Sequence, residues 1–295
     1  MPQSPIHEAL AKLKIQRAED VSGKPLEALE NLFDVSRGYQ GGFSQFLQEL
    51  VQTVFWQSQN YPGNPYLDLC LKLGTQIDRY NDSLAYPEPP YHSRKHFQDV
   101  CLSLTMLLDQ HVAQTSESTD QTIWTMSPEE AWILLLCAIA HDYGHDGSMN
   151  TSPSQLERGS IAKTQSFLIE SSISPALAQD LCDKIEPIIL ATDPACFNTL
   201  LSKFTDPINQ PNKTDCMCML MVEADLLASA LPQQGQLLGK LLSQEWQPHH
   251  PQAAIAVASD QGRLNFLEHI RFISPYAMML KMEDVRKQSI EELKD

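Results

Sequence analysis

The chain has 295 residues, 42% of them hydrophobic, which suffices for one large domain or two small ones with a sizeable core. A formal net charge of −16 opposes nonspecific binding to nucleic acid, although it does not exclude a small anionic substrate. No segment reaches the roughly 18 uninterrupted apolar residues of a membrane span, and the opening MPQSPIHEALAKLKIQRAED lacks the apolar run of a signal peptide, so a soluble, cytoplasmic protein is expected.

Taken in chain order, the apolar spacing is helical nearly throughout. The first 25 or so residues are expected to be loosely attached. PLEALENLFDV, FSQFLQELVQTVFW and PYLDLCLKLGTQIDRY follow, each with apolar residues three and four apart. YPEPP then brings the chain in extended, and a helix is expected to start near Tyr91 and run through DVCLSLTMLLDQHV, which would place His92 and His96 on one helix face. The polar tract AQTSESTDQT separates this helix from SPEEAWILLLCAIAH, whose Ser127 is a cap, Pro128 a first-turn residue and Glu129 and Glu130 acids at the positive helix end. LAQDLCDKIEPIILAT, CMCMLMVEADLLASAL, GQLLGKLLSQEW and the long stretch from LNFLEHI to the C-terminus complete the series. Strand-like alternation is absent, and the expected fold is all-α, with about a dozen or more helices in a compact bundle. Seven scattered cysteines, Cys216 and Cys218 among them, are read as reduced core thiols.

The chemistry concentrates at residues 141–147, HDYGHDG, which end the most apolar segment of the chain. Charge buried there needs a partner, and a metal cation is the first candidate. His96 in YHSRKH, the adjacent His141 and Asp142, and Asp225 within MLMVEADLLASAL together offer two imidazoles and two carboxylates. Such a mixed set suits zinc, iron or manganese, with a more oxygen-rich neighbouring position for magnesium or manganese. Buried His–Asp pairs that merely hold helices together use the same residue types.

Five stretches resemble one family in its motif order across residues 91–270. YHSRKHFQDV is similar to the YHNxxHAxDV motif of class I cyclic nucleotide phosphodiesterases. HDYGHDGSMN matches the HDxxHxGxxN signature of the wider HD-domain metal-dependent phosphohydrolases. ILATDPACF, EADLLASAL and GRLNFLEHI resemble three further stretches of the family. The resemblance implies that His96, His141, Asp142 and Asp225 hold a first divalent ion, zinc by preference, with iron or manganese as substitutes. Asp142 would bridge to a second, magnesium or manganese. His145, Glu157 and Thr192 would orient the metal waters, and His92 would be the general acid. Asp193 would be a structural anchor and Asn150 would fix the loop. The implied reaction is hydrolysis of a 3′,5′-cyclic nucleotide to the 5′-monophosphate by a metal-bridging hydroxide.

The base pocket departs from the family. Phe266 fits the position of the phenylalanine that stacks on the base, but Arg263 stands where the family carries a purine-reading glutamine, and Ala228 where it carries an asparagine. Arginine only donates hydrogen bonds, which suits O6 and N7 of guanine and gives cyclic GMP an edge over cyclic AMP. An unusual cyclic nucleotide or a noncyclic nucleotide phosphate is the alternative substrate, and a nucleotide sensor without turnover is a different class. The expected organisation is an N-terminal helical extension, residues 1–85, and a catalytic domain, residues 86–295. The extension would cover the back of the catalytic helices or pair with another subunit in a homodimer.

Overall fold

The structure, a computed structural model, describes residues 4–19, 25–110 and 123–294. Among these residues there are sixteen α-helices and no strand, as expected for an all-α chain. The first five are α1 (Pro5–Glu19), α2 (Pro25–Gly38), α3 (Phe43–Leu50), α4 (Val54–Ser58) and α5 (Tyr66–Asp82). Next come α6 (Arg94–Leu108), α7 (Pro128–Ala140), α8 (Gln155–Glu170), α9 (Pro175–Leu190), α10 (Phe197–Thr205) and α11 (Lys213–Ala230). The chain closes with α12 (Pro232–Trp246), α13 (Pro251–Ala258), α14 (Asp260–His269), α15 (Pro275–Met279) and α16 (Met282–Glu292). The tract AQTSESTDQT lies outside the described residues. None of the described helices is long and apolar enough to cross a membrane.

Three helices form the centre. α6, α7 and α11 pack against one another. Every residue of α6 from His96 to Leu108 and of α7 from Ala131 to Ala140 is buried. A helix buried on every side needs neighbours all round and partners for the polar groups it carries. α3 and α5 supply part of that surround from the N-terminal side, and one cluster of buried side chains joins Ile6, Phe46 and Leu73 to Leu104, Leu135, Met219 and Val285.

The ends of these helices are fixed by side chains. Ser127 and Glu130 form a reciprocal capping box at the start of α7, with Pro128 at its first turn. Asn212 and Asp215 do the same for α11. At the far end of α7, His141 closes the helix and the chain turns through Gly144 (φ 77°) and Gly147 (φ 81°). Both angles lie in the left-handed region, which glycine enters without a Cβ penalty, so the two glycines of HDYGHDG serve the turn.

Three expectations need correction. α6 starts at Arg94 and not near Tyr91, because the N–H groups of Tyr91 and His92 both donate to Glu245 Oε2 (2.8 and 3.0 Å) instead of entering the helix. His92 and His96 therefore do not share a helix face. The described part of the first 25 residues is anchored: Ile6 is 1% exposed, and His7 Nε2 lies 2.6 Å from the Glu49 carbonyl. The C-terminal stretch is three helices, broken after His269 because the buried Glu223 carboxylate takes up the N–H groups of Ile273 and Ser274 (2.6 and 2.8 Å).

Candidate active site

The N-terminal end of α6 meets the C-terminal ends of α7 and α11, and the four nominated ligands gather there. His96 Nε2 lies 3.1 Å from Asp225 Oδ1 and 3.4 Å from Asp142 Oδ2. His141 Nε2 lies 3.2 Å from Asp142 Oδ2 and 3.7 Å from Asp225 Oδ1. The two Nε2 atoms are 3.3 Å apart. Ligands about 2.0–2.1 Å from a tetrahedral ion stand about 3.3–3.4 Å from one another, so these spacings match the edges of such a cage. The ring orientation agrees: His141 Nδ1 lies 3.0 Å from the Ala138 carbonyl, which can only accept, so Nδ1 carries a proton and Nε2 is the atom left to face the cage.

Both imidazoles are nearly inaccessible, His96 at 4% and His141 at 1%. Burial alone would discharge them. The carboxylates of Asp142 and Asp225 overcome it, pushing His96 up to about 10 and raising His141 as well. Burial likewise opposes ionisation of Asp142, but the charges of His141 and His92 hold its carboxyl well below the usual range. Two half-buried carboxylates thus call for positive charge beside the paired imidazoles, and His96, His141 and Asp225, with Asp142 within 3.4 Å of both rings, fit a divalent cation.

His92 stands beside this cage. Its Nδ1 donates to Glu245 Oε1 (2.5 Å), while Glu245 Oε2 holds the backbone of residues 91 and 92. Burial works against the Glu245 anion, but its bonds to His92 keep its carboxyl below the usual range. The His92 ring stacks on His145, with centroids 3.6 Å apart and planes 21° apart. His92, Asp142 and His145 also bring ligand atoms within 4.8 Å of one another. His145 Nδ1 accepts from the Gly147 N–H (3.0 Å), and burial together with the neighbouring His92 pushes its pKa down to about 4.

The remaining nominated residues surround this core. Glu157 is 9% exposed, and both oxygens of its carboxylate accept from Asn150 Nδ2 (3.3 and 3.0 Å). Burial raises its pKa, and Asp193 and Asp142 add to the rise. Asn150 Oδ1 in turn accepts from the Leu156 N–H, which ties the loop to the start of α8. The Thr192 hydroxyl donates to the Ile189 carbonyl (2.8 Å) at the end of α9; no hydrogen bond joins it to the cage among the described residues. Asp193 uses both carboxylate oxygens, one on the Ser154 N–H and hydroxyl and the other on the Ala195 N–H.

A cavity of about 130 Å³ adjoins the cage at Tyr91 and Leu226. Phe266 and Arg263 both line it, with Ser229, Gln236 and Leu242. Sequence reasoning missed Glu245, which sits 153 residues from its partner. One signal was available: Glu245 follows Gln234 and Leu238 on the buried stripe of α12, an acid where the pattern calls for an apolar residue.

No protein-family model and no curated protein matches the sequence. Among solved structures, a crystal structure of yeast caPDE2 in complex with IBMX is similar, at a TM-score of 0.46 and 14% identity, over 98% of this chain and 72% of that one. Shared shape at that level does not assign an activity.

Proposed function

We propose that the chain is a divalent-metal-dependent phosphodiesterase that hydrolyses a 3′,5′-cyclic nucleotide to its 5′-monophosphate. The observation that carries this reading is the cage of His96, His141, Asp142 and Asp225, in which the imidazole Nε2 atoms stand 3.1–3.7 Å from the carboxylate oxygens. A divalent ion held there, zinc by preference, would supply positive charge to the phosphate oxygens and Lewis acidity for an attacking water; a second, magnesium or manganese, would share Asp142.

The protein's own part is proton delivery and orientation. The leaving 3′-oxygen needs a proton, and His92 is the group to supply it from Nε2, since Glu245 engages Nδ1. The Glu245 carboxylate fixes the ring, holding Nδ1 with one oxygen and the backbone of residues 91 and 92 with the other. His145, depressed to about 4, stays neutral and presents Nε2–H as a donor. Glu157, steadied by Asn150, and Thr192 complete the surround that orients water. Phe266 offers a face on which a base can stack. Residues 86–295 would form the catalytic unit and residues 1–85 its N-terminal cover or a surface for a homodimer.

The test is turnover of cyclic AMP and cyclic GMP, with noncyclic nucleotides in the same panel, under Mg²⁺ or Mn²⁺. His92→Ala is expected to abolish turnover while elemental analysis shows unchanged metal, and Asp225→Ala to lose metal and activity together. Full metal content and rate in Asp225→Ala would remove the cage from the mechanism. Turnover confined to noncyclic substrates would replace the cyclic assignment.

A further inference from the structure

Arg263 lines the cavity that Phe266 also borders, the ring cavity, yet its guanidinium is engaged elsewhere. Nη2 donates to the Leu231 carbonyl (2.6 Å) and Nη1 to the Ser229 carbonyl (3.3 Å). Both acceptors lie at the corner where α11 ends and α12 begins. The last carbonyls of a helix have no partner within it and attract a cation; Ser229 is such a carbonyl, while Leu231, which also accepts the Gly235 N–H (2.9 Å), takes Arg263 as a second donor. Ser289 of α16 serves a third, donating to the Ala230 carbonyl (2.9 Å). On the other side of the corner, Glu30 of α2 accepts from the N–H groups of Gln233 and Gln234 (2.8 and 3.1 Å); burial lowers the Arg263 pKa, and the Glu30 charge partly offsets it. Gly235 makes room for the fork, because a Cβ there would fall 2.2 Å from Nη1.

We infer that Arg263 is a positioning residue, clamping the α11–α12 corner, and that the ring cavity accepts adenine and guanine without strong preference. This inference rests on the cyclic-nucleotide reading of the site. The fork that would meet guanine O6 and N7 is turned to backbone carbonyls. The polar groups left on the wall include the Ser229 and Tyr91 hydroxyls, 3.5 Å apart with either able to donate. A hydroxyl rotates between donor and acceptor, so it serves either purine edge. A bidentate arginine contact would instead separate the two bases by about 5- to 150-fold. The clamp also bears on catalysis indirectly: α11 carries Asp225, α12 carries Glu245, and α14 carries Phe266 with Arg263 itself.

The experiment compares kcat and KM for cyclic AMP and cyclic GMP in the wild type, Arg263→Met and Arg263→Lys, with Tm and metal content measured alongside. The wild type is expected to show kcat/KM values for the two purines within about fivefold. Arg263→Met should lower Tm by several degrees and raise KM for both nucleotides by the same factor, leaving their ratio unchanged. Arg263→Lys keeps a cation at the end of α11 and should recover most of the lost Tm. A selective loss of cyclic GMP turnover of tenfold or more in Arg263→Met, with Tm unchanged, would overturn the inference. If the wild type, loaded with metal, turns over neither nucleotide, the functional reading fails; the Tm series then decides the clamp by itself, and an unchanged Tm in Arg263→Met refutes it.

Discussion

At the scale of single residues, the site depends on which atom of each imidazole is free. His141 presents Nε2 because Ala138 holds Nδ1, and His92 presents Nε2 because Glu245 holds its Nδ1. Glu245→Gln keeps a hydrogen-bond acceptor beside His92 but removes the carboxylate that holds Nδ1 and the backbone of residues 91 and 92 together. The expected outcome is a kcat lower by about tenfold to a hundredfold, with KM changed much less. Metal content should not change. An unchanged kcat would mean that proton delivery does not depend on this tie. The grouping of His96, His141, Asp142 and Asp225 was readable from the chain because a mixed N/O ligand set requires particular side chains, and two of them are adjacent at a helix end. Glu245 and the engagement of Arg263 were not readable, since each contact joins helices far apart in sequence and one of them runs to backbone carbonyls that no side-chain pattern reveals.

At the scale of elements, the helices were legible and their junctions less so. Apolar spacing announced α6, α7 and α11, and Ser127-Pro128 announced where α7 begins. The start of α6 was misplaced because Glu245, on α12, captures the two N–H groups that would have begun the helix. Asp193 is a junction of the same kind. It sits after α9, yet it holds Ser154, the residue before α8, which is itself in a left-handed conformation (φ 52°). α8 carries Glu157, so Asp193 sets where that carboxylate stands. Asp193 is 4% exposed, and removing it leaves buried donors without an acceptor. Asp193→Ala should cost about 2–4 kcal/mol of stability, read as a lower Tm or denaturant midpoint. At a temperature where the variant stays folded, kcat should fall more than metal affinity does, because the tie positions α8 and not the cage. An equal loss of metal would place Asp193 in the cage's support instead.

At the scale of the whole molecule, the all-α architecture followed from periodicity, while the continuity of the core from Ile6 to Val285 did not, because packing between distant amphipathic faces leaves no local mark. That buried interior contains ionisable groups whose effects on stability oppose one another. Burial raises Asp99 to about 6 and Glu223 to about 7, so each favours the folded state at acid pH and loses that contribution as pH rises through those values. His145 has the other sign. Its folded value of about 4 lies below the ordinary value of about 6.5, so its contribution is complete above about pH 6.5 and is lost as pH falls through about 4. Over that interval it amounts to about 3 kcal/mol. The wild-type stability curve between pH 4 and 7 should accordingly be shallow, a sum of opposed slopes, and His145→Asn should expose them. Measured by denaturant unfolding in metal-free protein, the stability advantage of wild type over His145→Asn should shrink by about 3 kcal/mol between pH 6.5 and 4. A difference that stays constant across that range would show that His145 takes up a proton as readily in the folded chain as in the unfolded one, and the neutral donor assigned to it beside His92 would have to be abandoned.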